Sequence, residues 1–171
     1  MQRYLFITAW AAIFSVLIGA PWRAIAESSG DGGRRNTPPI RMAIVVLVGD
    51  SQYNDVARDV TDVITANLVR SGQFALIGSA GVKNQIVDFD TPPPFDEYRS
   101  IDTQALVVVN FAKGFGDKIT ASYRLWDVLE RAHLSSRRYE TSSTMIDRLG
   151  NCISAEIQQR LTDTISDVAC R

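Results

Sequence analysis

The sequence contains few of the residues that enzymes most often use for chemistry. It has one histidine, His133, and two cysteines, Cys152 and Cys170. A Ser-His-Asp or Cys-His site would therefore have to include His133, and no G-x-S-x-G motif precedes a predicted helix. A single histidine without a partner motif is more often an ordinary polar residue. We therefore predict that the chain has no catalytic residue and is not an enzyme.

Loops that hold nucleotides or metals are also missing. Gly114-Phe115-Gly116 is not part of a G-x-G-x-x-G or Walker motif, and a strand rather than a helix follows it. The acidic cluster of Asp88, Asp90, Asp96 and Glu97 lacks the alternating oxygen ligands and central glycine of a calcium loop. We predict a hairpin at the glycines, a solvated acidic loop, and neither cofactor nor metal.

A strong charge of either sign is absent. The formal net charge is −1, and no basic amphipathic helix indicates a membrane surface. The composition therefore gives no electrostatic reason to expect a nucleic-acid partner.

The N-terminus has the layout of a secretory signal peptide. Arg3 precedes an apolar run from Tyr4 to Ala20, which Pro21 and the triplet Ala24-Ile25-Ala26 follow. The alternative is an uncleaved membrane anchor, but the proline and the A-x-A triplet favour cleavage after Ala26. We predict an exported chain that keeps no membrane segment after cleavage.

The exported part forms one domain between two tails. Residues 27–39 have no apolar residue that could anchor them and are rich in Gly, Ser and charge, so we predict a flexible tail. We place the domain at residues 40–165 and a C-terminal tail at residues 166–171.

The spacing of the two cysteines argues against a disulfide between them. If the interval from Cys152 to Cys170 is helical throughout, its rise separates the ends by about 27 Å. A disulfide bridges Cα atoms no more than about 7 Å apart. We predict that Cys152–Cys170 pairing is unlikely and that Cys152 is a small buried apolar residue. Pairing would require the helix to end early.

Hydrophobic patterns predict a mixed α/β (α+β) domain in a single two-layer arrangement, with about five strands and two main helices. The apolar run Ile40 to Val48 is typical of a central strand. The first helix carries its apolar residues at spacings of three and four, ends near Gly72, and is followed by a short strand from Phe74 to Ile77. The helical stripe consists of Val56, Val60, Val63, Ile64 and Leu68.

In the second half of the sequence, apolar and polar residues alternate more clearly. Phe95 to Arg99 is compatible with a short helix, and Ala105 to Phe111 with a buried strand. In the next strand, Ile119, Ala121, Tyr123 and Leu125 share one face. A strand from about Leu134 to Thr141 and a long helix from Ile146 to about Ile165 complete the order β-α-β-(short α)-β-β-β-α.

Trp126 leaves two interpretations open. It lies on the nominally polar face of the alternating strand. If the C-terminal helix covers Trp126, the side chain belongs to the hydrophobic core. If the side chain is left open, it is a candidate contact patch. Core is the favoured interpretation.

The order of these segments resembles the TolB amino-terminal domain family over about Ile40 to Asp163. Two motifs carry most of the resemblance, a helix that ends in L-x-R-S-G-x-F and a strand that reads R-L-W-D-V. In this chain they consist of Leu68, Arg70, Ser71, Gly72 and Phe74, and of Arg124, Leu125, Trp126, Asp127 and Val128.

The resemblance implies a periplasmic domain that catalyses nothing and binds no cofactor. In the family it precedes a six-bladed propeller that contacts Pal, and a segment near the mature N-terminus engages TolA. These contacts support outer-membrane integrity, cell division and protein import. Six blades need about 250 residues, and the sequence ends eight residues after Asp163, so we do not expect a propeller contact with Pal. Because residues 27–39 lack apolar sequence, we assign no TolA-binding residue there.

Two hypotheses follow. The first is a periplasmic, non-enzymatic protein-interaction module of the Tol-Pal system. The second is a free-standing structural module of the envelope that shares the scaffold and assembles with itself or with an unrelated lipoprotein.

Overall fold

The computed structural model describes residues 38–83 and 85–162. The predicted signal peptide, most of the predicted N-terminal tail and the predicted C-terminal tail lie outside the described residues, and so do Asp163 and Ile165. Within the described residues the order of helices and strands is the predicted one. The elements are β1 (Ile40–Val48), α1 (Asn54–Arg70), β2 (Phe74–Leu76), α2 (Phe95–Ser100), β3 (Ala105–Lys113), β4 (Ile119–Asp127), β5 (Ala132–Thr141) and α3 (Ile146–Thr162).

The five strands form one mixed sheet in the order β2-β1-β3-β4-β5. The first three strands in this order are parallel, and β4 and β5 continue the sheet as antiparallel hairpins. Ile40 pairs directly with Phe74, so no strand lies between β1 and β2. The predicted mixed α+β sheet is confirmed, and β2 and β5 are its edges.

The turn between α1 and β2 explains the sequence Arg-Ser-Gly. Ser71 donates a side-chain hydrogen bond to the carbonyl of Leu68 (2.7 Å), and its hydroxyl accepts one from the backbone N–H of Gln73 (3.2 Å). Gly72 has a φ of 70°, a left-handed conformation that glycine adopts at little cost. The chain then reverses, and Phe74 enters the core.

One face of the sheet is covered by α1 and α3. The helices bury their apolar stripes on the sheet residues that the alternation predicts, which are Ile119, Ala121, Tyr123 and Leu125. The helices also contact each other, and Gly150 lies so close to Val63 that an added Cβ would be 2.6 Å from its side chain. Burial of this apolar surface is the main stabilising contribution to the fold.

The other face is covered only in part, by α2 and the irregular segment before it. Tyr98, Val82 and Ile86 pack on Leu106 and Val108 of β3. This covering makes the domain more than a two-layer structure at that end of the sheet. The structure contains no helix, within residues 38–83 and 85–162, that is both long and apolar enough to cross a bilayer.

Candidate interaction surface

A polar groove lies where the covering of the second sheet face stops. Asn110 of β3 pairs with Ser122 of β4, which pairs with Arg138 of β5, so the three side chains form a row across the sheet. The groove has a volume of about 620 Å³, and Val87 and Phe89 line its opposite side. This polar groove is an open, hydrogen-bonding surface rather than an enclosed apolar cavity.

Arg124 holds the wall of the polar groove in place. Its guanidinium donates to the carbonyl of Phe89 (3.0 Å) and to Asp90 Oδ1 (2.6 Å), and it lies over the Phe89 ring at 4.7 Å. Its side chain is only 25% exposed. A charge-assisted bond and a cation–π contact at one partly buried arginine fix the segment against β4.

The aspartates of the predicted acidic cluster form hydrogen bonds and ion pairs with neighbouring residues. Asp88 accepts hydrogen bonds from the N–H of Asp90 (3.0 Å) and from the Thr91 hydroxyl (2.8 Å). The bond from Asp90 and then that from Thr91 hold the pKa of the Asp88 carboxyl below its ordinary value. Asp96 pairs with Arg131 at 2.5 Å. Within the described part of the chain, no group of three or more His, Cys, Asp or Glu side chains is arranged to hold a metal.

The strand β5 lies between the polar groove and a second cavity. This second cavity, of about 360 Å³, is formed by β5 and α3 and includes Arg137, Arg138, Glu140 and Arg148. Because β5 is the last strand of the sheet among the described residues, one of its edges has no neighbouring strand within that part of the chain. We use the name β5 edge for this side of Ala132–Thr141.

Glu156 connects α3 to β4 and β5. Its Oε2 accepts hydrogen bonds from the hydroxyls of Tyr123 (2.6 Å) and Tyr139 (2.9 Å), and its Oε1 forms an ion pair with Arg137. Burial raises the pKa of both tyrosines above the ordinary value of 10.0, so both remain hydrogen-bond donors at neutral pH. The cluster therefore orients Arg137 beside the β5 edge.

His133 does not belong to a catalytic arrangement of described residues. It is exposed on β5, and its ring lies 5.0 Å from that of Trp126. The contact is edge-on, and Trp126 makes a second edge-on contact with Phe95 of α2 at 5.7 Å. Trp126 is thus half-buried under α2, and the expectation that the C-terminal helix covers it is wrong. The reason is strand alternation, which puts Trp126 on the face opposite α3.

The two sequence motifs lie at different places in the fold. Leu68, Ser71, Gly72 and Phe74 form the turn from α1 to β2, and the exposed Arg70 borders a groove between α1 and α3. Arg124, Leu125 and Trp126 belong to β4, and Asp127 accepts hydrogen bonds from the N–H groups of Leu129 and Glu130 (2.8 and 2.9 Å). Val128 is fully buried, and Arg99 donates to its carbonyl. The geometry gives each of these motif residues except Arg70 a structural contact and does not bring the motifs into one site.

The cysteine prediction is corrected at Cys152. Cys152 is buried, as expected, and it is disulfide-bonded, whereas its pairing with Cys170 was predicted to be unlikely. The distance argument assumed a helix through the whole interval, and residues 163–171 of that interval lie outside the described residues. Cys170 lies outside the described residues.

Arg137, Arg138 and Glu156 were not singled out by the sequence. Their importance depends on the pairing of β5 at the sheet edge and on the packing of α3. The only signal in the sequence is two adjacent arginines within a strand pattern, which is a common feature of exposed edge strands.

Comparison with known proteins agrees with this fold. The family model of the TolB amino-terminal domain matches residues 32–134. The Tol-Pal system protein TolB of Paramagnetospirillum magneticum is 28% identical over 163 residues, which are 95% of this chain and 36% of the relative. The chain therefore spans about a third of the length of that relative.

Two of the solved structures that resemble the domain show the likeness. TolB from Acinetobacter baumannii matches with a TM-score of 0.60 and 20% identity. The match covers 77% of this chain and 30% of the Acinetobacter chain. The hypothetical protein CT253 from Chlamydia trachomatis matches with a TM-score of 0.53 and 17% identity. The match covers 73% of this chain and 99% of the Chlamydia chain. At these identities the likeness concerns the fold. With the family model matching more than half of its length, the chain belongs to the TolB amino-terminal domain family.

Proposed function

We propose that this chain is a periplasmic, non-enzymatic protein-interaction module of the Tol-Pal envelope system. The family match over residues 32–134 is the observation that carries the proposal. The TolB relative, whose name places it in the Tol-Pal system, supports the same role.

The site geometry is compatible with binding rather than catalysis. The polar groove is open, and the two acidic groups that line it are used in local contacts, Asp90 with Arg124 and Asp88 with Thr91. A nucleophile and a base within hydrogen-bonding distance would be needed for covalent catalysis. His133 instead contacts Trp126.

TolA is the candidate partner within this system. Residues 27–39 have no apolar residue that could anchor a strand, so the contact would involve the folded domain rather than the tail. Contact with Pal through a propeller is not part of this proposal. The role would contribute to outer-membrane integrity, cell division and protein import.

Capture from the periplasm tests the proposal. The full chain with its own signal sequence and a C-terminal tag would be exported in a Gram-negative host with a complete Tol-Pal system. After cross-linking and purification, TolA is expected among the enriched proteins, relative to an unrelated exported domain with the same tag. Equal recovery of TolA with both baits would contradict the proposal.

The alternative is an envelope module that assembles with itself. It would predict a concentration-dependent homo-oligomer in a mass measurement on the exported chain. The arginines of the β5 edge argue against pairing of two copies there, because antiparallel pairing centred on Arg137 or Arg138 places like charges opposite each other.

A further inference from the structure

We propose that the β5 edge binds an extended, acidic segment of a partner protein as an added antiparallel strand. This inference rests on the proposed function, because it assigns the surface and the kind of segment through which the module would bind. It is carried by the free strand edge, the two cavities that flank it, and the charges that line them.

The free edge supplies the main-chain part of the interaction. The strand β5 has ten residues and hydrogen-bonds to β4 on one side. Among the described residues, no backbone hydrogen bond joins its other side to a turn or loop. About half of the residues of an edge strand direct their N–H and C=O groups outward. These groups can pair with a strand that is added from another chain.

The two cavities supply space for the side chains of such a strand. Successive side chains of a strand point to opposite faces of the sheet. A strand added at the β5 edge would therefore direct alternate side chains toward the polar groove and toward the second cavity, both of which include Arg138 in their lining. Alternating pockets beside a free edge are the arrangement that gives specificity in strand addition.

The charges favour an acidic occupant. Arg137, Arg138 and Arg148 line the second cavity, with Glu140 as the acidic residue among its lining. In the polar groove, Asp90 is bound to Arg124, and Asp88 is an acidic residue whose carboxylate accepts bonds within its own turn. Arg137 is bound to Glu156, whereas Arg138 is exposed at the boundary of both cavities. Carboxylates of an incoming strand would meet the exposed guanidinium of Arg138, which lines both cavities, and a second copy of β5 would meet like charge.

A peptide experiment on the exported chain tests this inference directly. The probe is a fluorescein-labelled ten-residue peptide of alternating Glu and Thr. Two control peptides match it, one with Lys in place of Glu and one with N-methyl groups on alternate backbone amides. The first control changes the charge and the second blocks main-chain pairing. We expect saturable binding of the Glu-Thr peptide by fluorescence anisotropy and little binding of either control.

Two protein variants locate the site. Arg138→Glu should weaken binding of the Glu-Thr peptide by at least about tenfold, because it reverses the charge that both cavities share. Arg58→Glu makes the same charge change on the exposed side of α1 and should alter binding by less than about twofold. Amide hydrogen exchange should show new protection at alternate residues of Ala132–Thr141 when the peptide binds.

Several results would overturn the inference. These are no binding of the Glu-Thr peptide, equal binding of the Lys or N-methyl peptide, protection outside β5, or a homodimer that buries β5. Capture of TolA that is the same for the wild-type chain and Arg138→Glu would reject the β5 edge as the contact while leaving the proposed function intact. Loss of capture with both the wild type and the variant would reject the proposed function instead.

Discussion

The hydroxyl of Tyr123, on β4, donates a hydrogen bond of 2.6 Å to the carboxylate of Glu156, on α3. Tyr123 is fully buried, so this bond joins the helix layer to the sheet inside the core. The same carboxylate also binds Tyr139 and Arg137 of β5. One acidic residue therefore fixes the position of α3 over the last two strands and next to the proposed binding edge.

Replacement of Glu156 by alanine should destabilise the domain by about 2–3 kcal/mol. The hydroxyls of the buried Tyr123 and the half-buried Tyr139 would lose this acceptor, and only Tyr123 would retain a partner, the Ser135 hydroxyl at 3.2 Å. Unsatisfied buried polar groups cost about 1–3 kcal/mol each. Urea unfolding followed by circular dichroism measures the change. Glu130→Ala, at an exposed turn position, is the control and should change the free energy of unfolding by less than about 0.5 kcal/mol. Equal effects of both variants would contradict the structural role of Glu156.

The raised pKa values of Tyr123 and Tyr139 predict a loss of stability at alkaline pH. Burial is the main cause that raises the pKa of Tyr123 and Tyr139 above 10.0. The contribution of these two tyrosines to the free energy of unfolding is fully present below the unfolded-state pKa of about 10. It is lost as pH rises above that value, because the tyrosines of the unfolded chain ionise first. The free energy of unfolding should therefore fall with pH above about 10, and less steeply in the Tyr123→Phe, Tyr139→Phe double variant. Parallel pH profiles of the two proteins would contradict this explanation.

Gly150 sets the distance between α1 and α3. A Cβ at this position would lie 2.6 Å from Val63 and 3.2 Å from the carbonyl oxygen of Val60. Gly150→Ala should destabilise the domain by about 1–3 kcal/mol, despite the gain of up to about 1 kcal/mol in helix propensity. Gly78→Ala is the matched control, since nothing lies within 4 Å of its added Cβ. Thermal or urea unfolding would contradict the prediction if Gly150→Ala were as stable as that control.

The oxidised state of Cys152 can be measured in the exported chain. Because the sequence has only two cysteines, we predict a bond to Cys170 within one chain. Thiol labelling under denaturing conditions should find no free thiol before reduction. Reduction should lower the stability by about 3 kcal/mol, as for loops of about 15 residues. Two free thiols before reduction would contradict the prediction.

Features that depend on local patterns could be predicted from the sequence. The alternation from Ile119 to Leu125 identified the buried face of β4, and Gly72 identified the end of α1. The segment before α2 has no such period, and its position on the sheet depends on contacts such as that of Arg124 with Phe89. For the same reason, the sequence did not show that α2 rather than the C-terminal helix covers Trp126.

The β5 edge could not be predicted for a related reason. The pattern indicated a strand near Leu134 to Thr141, but a strand sequence does not state whether it is central or terminal in the sheet. The helical pattern alone does not distinguish Glu156 from other polar residues of α3. Its carboxylate accepts hydrogen bonds from Tyr123 and Tyr139 only because α3 packs over the two strands that carry them. Both features are tertiary, so local propensity carries little information about them.

The most direct test of the central claim is a binding measurement between the purified exported chain and the purified periplasmic part of TolA, by calorimetry at physiological salt. The account predicts saturable binding by the wild-type chain and by Arg58→Glu, and binding at least about tenfold weaker for Arg138→Glu. Saturable binding that is equal for all three proteins would retain the Tol-Pal role and reject the β5 edge. Absence of heat and of complex formation with the wild-type chain would contradict the account as a whole.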